Sequence, residues 1–323
     1  MDIDEPLPTP REPDPNAPVC PTGLVLTAAF EPPLDERAPW LERYEIVDAL
    51  AVPGAETPLY LTASGFAITT TGIGKSDAAT TVTALLGSSG VDLDSAYVVS
   101  SGIAGSSPET TALGSVAIAD AVVDCDRKHR WDRQGASDTE TVPGTASKST
   151  PIDLLAYRPR DYVHHLESTL VDRAVTAAEG VDLREDDAAR DYQTQYPAAT
   201  DAGPSIERGT TVCGDEFWHG PKYAREVEWL CGEYGVAPYV TTQMEDAATA
   251  TALKRFGRRE RYLSVRAVAN YDRPAPGQSV EESFDGNPAS LELAIDNAAR
   301  VGSAVIEALI ASDPLEITGS EKQ

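Results

Sequence analysis

"TTTGIGKSDAATT", Thr69 to Thr81, poses the first question about the fold, because Gly-Lys-Ser at the head of a helix is how phosphate-binding loops begin. The phosphate-loop pattern requires a glycine five residues before Gly74, and that position holds Thr69. What the stretch does encode is a strand over Phe66–Thr71, a turn through Gly72 and Gly74, and a helix whose face can bury Ala78, Val82, Ala84 and Leu85. Strand, turn and helix in that order are the building unit of an α/β fold.

Moving outward, the same alternation recurs. "GLVLTAAF" reads as a buried strand, the prolines of "EPPLDERAPW" force a loop, and "LYLTASGFAITTTG" reads as two strands joined at Ser64-Gly65. "AYVVSSGIAGSSPET" reads as a strand entering a small-residue loop, and "GSVAIADAVVDCD" as a short strand pair. From Arg127 to about Pro204 the chain is polar and irregular, so the main insertion is expected there, with one helix around Val163 to Ala178. "PKYAREVEWLCGEYG" has the proline-first, glycine-last signature of a helix. "PYVTTQMEDAATATALKRFG" reads as strand, turn and helix, "RYLSVRAVANYDRP" as a strand stopped by a proline, and "NPASLELAIDNAARVGSAVIEALI" as a long closing helix. The expected class is α/β with a central mixed sheet, in one domain over residues 23–312, flanked by tails at 1–22 and 313–323.

The 323 residues carry 26 Lys plus Arg against 52 Asp plus Glu, a net charge of −26. That excess argues against nucleic-acid backbones and anionic lipid as partners. The acids are scattered, and lysine occurs only at 75, 128, 148, 222, 254 and 322. An acid-rich, lysine-poor surface suits a cytoplasmic protein of a halophile, where salt screens the self-repulsion. The four cysteines, Cys20, Cys125, Cys213 and Cys231, lie far apart without a C-x-x-C pair, which speaks against zinc and a disulfide framework. The first residues, MDIDEPLPTPREPDPNAP, are acidic and proline-rich, unlike a signal or transit peptide, and read as a disordered tail. No apolar run approaches the roughly 18–20 residues that span a bilayer. His219 and the pair His164-His165, even with Asp161 nearby, fall short of a metal ligand set, so no metal is expected.

In an open α/β sheet, ligands bind in the loops after the carboxyl ends of strands; here those loops are "TGIGKS", "SGIAGS", "CGDEFW", "TQMED" and "ANYDRP". Small residues in two of them let backbone approach a ligand, and the others supply aromatics, acids and an amide. That set suits a flat, polar, uncharged ligand better than a polyphosphate. Taken in order, "TTTGIGKSDAAT", "SSGIAGSSPETTALGSVAIADAVVDCD", "CGDEFW", "QMEDAATATALKRFG" and "SVRAVANYDRP" resemble the nucleoside phosphorylase and nucleosidase superfamily. Within it the chain is most similar to the purine nucleoside permease family, for which the ending R-x-x-x-N/D-x-D-R-P is characteristic. The resemblance covers roughly Gly23 to Ala311.

The resemblance implies a three-layer α/β/α sandwich, cleavage of the N-glycosidic bond of a purine nucleoside, no cofactor beyond phosphate as a possible co-substrate, and a homo-oligomer. A non-catalytic nucleoside-binding protein that assists uptake is the alternative. Asn270 falls where the superfamily keeps an Asp or Asn against the purine N7; an amide donates a hydrogen bond there but no proton. Asp272, two residues on, is a true acid if its side chain faces the site. Glu245 matches the acid that holds the ribose hydroxyls, since one carboxylate accepts from two vicinal hydroxyls and favours positive charge on the sugar. A first-turn acid serving a helix N-terminus is the plainer alternative. Met244 would pack under the ribose, and Phe217, or Trp218 instead, would stack on the base. Gly102, Ile103, Ala104 and Gly105 would run along the base and nucleophile. Ile103 and the serines before Gly102 replace phosphate ligands of the phosphorylases, which favours water, unless Arg37, Arg130 or Arg266 supplies the anion site. Glu31 is then the candidate base or water anchor. The Gly72–Lys75 turn becomes a packing turn, with Lys75 solvated or paired.

Overall fold

The strand and helix that flank the Gly72–Gly74 turn are β4 (Phe66–Thr70) and α2 (Lys75–Gly87). Both glycines have left-handed backbone, φ 84° and 92°, and Gly74 is the residue from which the helix starts. A side chain at either would be strained, so the sharp turn from a buried strand into a helix needs glycine there. Ala78, Val82 and Leu85 are buried on the inner face of α2.

The computed structural model describes residues 6–131, 151–155, 157, 162–284 and 286–317. The other elements, in chain order, are β1 (Gly23–Thr27), α1 (Ala38–Arg43), β2 (Ile46–Leu50), β3 (Leu59–Thr62), β5 (Tyr97–Ser106), β6 (Val116–Asp124), β7 (Lys128–Arg130), β8 (Ile152–Leu154) and β9 (Val163–His165). They continue with α3 (Ser168–Ala178), α4 (Asp187–Gln193), β10 (Ile206–Cys213), α5 (Pro221–Tyr234), β11 (Tyr239–Gln243), α6 (Asp246–Arg255), β12 (Tyr262–Tyr271), α7 (Val280–Phe284) and α8 (Pro288–Ser312). The large sheet runs β11-β10-β6-β12-β5-β1-β4-β3-β2, with β9 added to β6. It is mixed: β5 lies parallel to β1 and β12, whereas β6 meets β12 antiparallel. Thr242 of β11 also pairs with Gly105 of β5, so the sheet curls until its edge touches its centre. Helix α8 packs on β5 and β12 together with α3, while α2 packs against α6, giving helical layers about the sheet.

Two strands run further than their sequences suggest. The small-residue segment Gly102–Gly105 belongs to β5, because β12 keeps parallel pairing with it through Tyr271↔Ser106. The stretch read as a strand pair at 116–124 is the single strand β6, held by β10 on one side and by β12 and β9 elsewhere along its length. The expected helix at 163–178 divides: Val163–His165 join the sheet, and α3 begins only at Ser168, where the Glu167 carboxylate accepts from the Thr169 N–H. Part of the insertion, residues 132–150, lies outside the described residues.

The tails are held where they are described. Arg11 donates its N–H to Ala49 and accepts from Ala51 along the free edge of β2, with its guanidinium on Asp48 at 2.6 Å. Val19 bridges Val91. Prolines cannot donate, but the residues between them can, and an edge strand offers unpaired groups to meet them. At the other end the Tyr97 hydroxyl donates to Asp313 and accepts from the Leu315 N–H, and Ile317 is buried. Residues 1–5 and 318–323 lie outside the described residues.

Helix α8 contains a glycine, Gly302, where a Cβ would stand 2.7 Å from both Ser101 Oγ and the Trp40 ring. Alanine is worth about 1 kcal/mol over glycine in a helix interior. Overpacking a close-packed contact costs about 1–3 kcal/mol. Gly302→Ala is therefore expected to lower stability by about 1 kcal/mol in denaturant titration; a stabilised variant would contradict this packing.

Candidate active site

Within the central sheet one guanidinium is enclosed by three carboxylates. Arg266, in the middle of β12, is 3% exposed. Its Nε and Nη2 engage both oxygens of Asp246, its Nη1 stands 3.3 Å from Glu245 Oε2, and the same Nη1 reaches the Ile103 carbonyl. Glu36, also buried, accepts from the N–H groups of Ala28 and Ala29 through one oxygen, at 2.7 and 3.0 Å, and from Ile103 N–H through the other at 2.7 Å. A Cβ at Gly102 would stand 2.5 Å from Glu36 Oε1, so glycine is what admits this acid to the strand.

Burial raises the pKa of Glu245 to about 7, with Arg266 and the Gly74 N–H opposing that rise. Burial also raises Glu36, again opposed by Arg266. Burial works against the charge on Arg266, but Asp246 and Glu245 hold its pKa above the usual value. The group has more acid than base, and burial raises both Glu36 and Glu245.

Glu245 does not cap α6, although it occupies the cap position. The Gln243 side chain takes that role, accepting from the N–H groups of Glu245 and Asp246. Glu245 Oε1 instead accepts from Gly74 N–H at 2.9 Å, across 171 positions of chain. That contact accounts for the turn at 72–75: its backbone faces a carboxylate of the protein. Lys75 Nζ pairs with Asp124 and Asp126 at 2.9 and 2.6 Å, so of the two alternatives the sequence left open, solvated or paired, the paired one holds.

Beside this group lies a cleft lined by Gly105, Phe217, Trp218, Thr242, Met244, Asn270 and Asp272, among others. The strand segment 102–105 connects the two, touching Glu36 at Gly102 and Thr242 and Asn270 at Gly105. Of the two candidate stacking rings, Phe217 is 57% exposed and meets Phe284 edge-on, whereas Trp218 packs on the apolar cluster around α5. Asn270 is half-buried, with Nδ2 donating to the Tyr271 carbonyl at 3.2 Å.

Two expectations change. Glu31 is exposed on the loop after β1, and the acid that reaches Gly102 and Ile103 is Glu36, five positions later. Between them the backbone turns, with Leu34 N–H on the Glu31 carbonyl at 2.9 Å and Glu36 N–H on the Leu34 carbonyl at 2.8 Å, which leaves the nearer acid exposed and the farther one buried. Asp272 lines the cleft, but its carboxylate is an acceptor from Tyr239 and, at 2.6 Å, from Arg273, which makes it an anchor between β11 and β12 in place of a free acid. Among the arginines weighed for an anion, Arg266 is committed to the acids, Arg130 pairs with Glu226 at 2.8 Å, and Arg37 lies over the rings of Phe30 and Tyr60. His164 and His165 are consecutive on β9, one buried and one exposed, and Asp161 lies outside the described residues.

Residues 22–313 match the family described as purine nucleoside permease (NUP). The chain belongs to that family. It is 28% identical over 261 residues to a probable purine nucleoside permease of Schizosaccharomyces pombe, covering 75% of this chain and 74% of the relative. It is 25% identical over 296 residues to the purine nucleoside permease of Candida albicans, covering 85% and 72%. Among solved structures it is similar to a 5′-methylthioadenosine/S-adenosylhomocysteine nucleosidase from Streptococcus pneumoniae, with TM-score 0.56 and 19% identity over 89% of this chain and 99% of that one. It is also similar to the futalosine hydrolase of Helicobacter pylori, with TM-score 0.52 and 18% identity over 90% and 97%. The family member therefore has the nucleoside phosphorylase-like fold, and among the described residues no helix is long and apolar enough to cross a membrane.

The raised pKa of Glu245 has a sign that can be tested. Between its ordinary value of 4.5 and about 7, the folded protein holds a proton that the unfolded chain has lost. Stability contributed by that proton is therefore lost as pH rises through this window. Glu245→Gln, which cannot ionise, is expected to flatten that part of the stability–pH curve; an unchanged slope would remove Glu245 as its source.

Proposed function

We propose that this protein cleaves the N-glycosidic bond of a purine nucleoside, with water as nucleophile. The observation that carries the reading is the buried set Glu36, Arg266 and Glu245, joined by the 102–105 strand to a cleft with an exposed Phe217 and an amide, Asn270. As the bond breaks, the ribose gains positive charge and the purine gains electrons. Ionised Glu245 accepts from vicinal ribose hydroxyls and favours that positive charge, a preorganised electrostatic effect. Glu36 orients or deprotonates water against Gly102 and Ile103. Phe217 stacks on the base, a contact worth about 1–3 kcal/mol. Asn270 donates a hydrogen bond to N7, so the leaving purine draws any proton from solvent.

Electrostatics favours water over phosphate. An incoming phosphate would meet Glu36, Glu245 and Asp246 with one guanidinium among them. Two like unit charges 4 Å apart repel by about 4 kcal/mol at an effective dielectric of 20. Water carries no such penalty. The names of the structural neighbours, a nucleosidase and a hydrolase, agree with this reading. The permease relatives suggest its setting, in which intracellular capture and turnover draw nucleoside inward by mass action.

A second reading, a nucleoside-binding protein without turnover, is favoured by the same relatives' names and by Asn270, which cannot deliver a proton. Incubation in molar salt with inosine, adenosine and guanosine, with and without phosphate, separates the two by chromatography. Free base and free ribose are expected regardless of phosphate, with Glu245→Gln slowed by about 10²–10³-fold, the usual cost of losing one preorganised electrostatic contact. Ribose 1-phosphate formed only with phosphate would contradict the role of water, and saturable binding without product would establish the second reading.

A further inference from the structure

The Gly-Lys-Ser turn remains without an assigned task in the chemistry above, although its backbone touches two of the site's loops. Gly74 N–H donates to Glu245 Oε1 at 2.9 Å, and the next N–H, that of Lys75, donates to Asp215 Oδ1 at 2.6 Å. Two consecutive amides thus hold two carboxylates, one from the start of α6 and one from the loop that carries Phe217. The Lys75 side chain closes a ring behind them. Its Nζ pairs with Asp126 Oδ2 at 2.6 Å, and that oxygen accepts from the Asp215 N–H at 2.8 Å. Asp124, at 2.9 Å from Nζ, ties the ring to the end of β6. At its far end the same loop is fixed by Gly220 N–H on the Asp272 carbonyl at 2.7 Å. Phe217 lies between these two attachments, exposed.

We propose that Lys75 and Asp215 are positioning residues, which fix the aromatic loop and Glu245 to one helix terminus so that the base platform and the sugar acid keep a set separation. The proposal rests on the nucleoside reading for its consequence, but the mechanical part stands on the hydrogen-bond ring. Lys75 acts through Asp126 and Asp215 and touches no ligand. Removing its charge takes the 2.6 Å ion pair from Asp126, the acid that holds the Asp215 N–H, while Asp124 keeps Arg127 at 3.2 Å; removing the Asp215 carboxylate frees the Lys75 N–H and releases the loop from α2. Either change loosens Phe217 while β5 and β12 stay intact.

The test compares wild type with Lys75→Met, Lys75→Arg and Asp215→Ala in two measurements, amide hydrogen exchange and the dissociation constant for free adenine. Lys75→Met and Asp215→Ala are expected to speed exchange across residues 214–220 by about tenfold or more, the loss of one hydrogen bond to a charged group. Exchange in β5 and β12 should not change. Adenine binding should weaken by a similar factor, and Lys75→Arg, which can span two carboxylates, should restore most of both. Unchanged exchange at 214–220, an equal rise over the whole molecule, or an arginine variant no better than methionine would overturn the proposal. If wild type binds no adenine and cleaves no nucleoside, the nucleoside reading has failed; exchange then decides the positioning role by itself, supporting it if the increase is confined to 214–220 and overturning it if not.

Discussion

The arrangement depends on one buried cation that lacks enough charge for its neighbours. Removing an ion from water costs several kcal/mol, and Arg266 can stay buried only because Asp246 and Glu245 meet it directly. With Glu36 also drawn in, three acids surround one base, and burial shows itself in the raised pKa values of Glu36 and Glu245. A group of this sign favours positive charge nearby and resists an anion. The same imbalance accounts for the backbone contacts: Ala28, Ala29, Ile103 and Gly74 each direct an N–H at one of the outer acids.

The sheet is what places these groups together. Strands β5 and β12 run parallel from Tyr262↔Val98 to Tyr271↔Ser106, so Arg266 falls beside Gly102 and Asn270 beside Gly105. The register shifts between Val268 and Asn270, where the ladder crosses from the charged group to the cleft. Irregularities of this kind re-aim side chains next to sites. At the same level, Thr242 of β11 pairs with Gly105, bringing the edge strand and the acid-bearing start of α6 onto the centre. The glycines at 102 and 105 are needed because Glu36 and Thr242 occupy the space a side chain would take.

Much of this was legible from local chemistry. The glycine pair at 72 and 74, the proline and glycine that bound α5, and the strand-helix alternation specify the elements without tertiary information. Glu245, Phe217, Asn270 and Met244 are what the family resemblance implies, and the fold brings them around one group of acids and its cleft. What escaped depends on distance in sequence. Glu36 looks no different from Glu31 or Asp35 until the backbone turn between Glu31 and Glu36 leaves it buried. Segment 102–105 reads as a loop because its residues are small; only its neighbour β12 makes it strand. The orientation of Asp272 was decided by Tyr239 and Arg273, one of them remote in sequence. The composition of residues 6–22 likewise conceals that Arg11 pairs along the edge of β2 and Val19 with Val91.

Under the proposal the acid-rich setting of Arg266 makes water the nucleophile, and isotope transfer reports the nucleophile itself. Nucleoside turnover in water enriched in ¹⁸O, with ordinary phosphate present, should give ribose carrying one ¹⁸O at its anomeric hydroxyl, read by mass spectrometry before exchange. Unlabelled sugar phosphate as the first product would show that an anion enters beside Glu36 and Glu245, and would rule out water as the nucleophile.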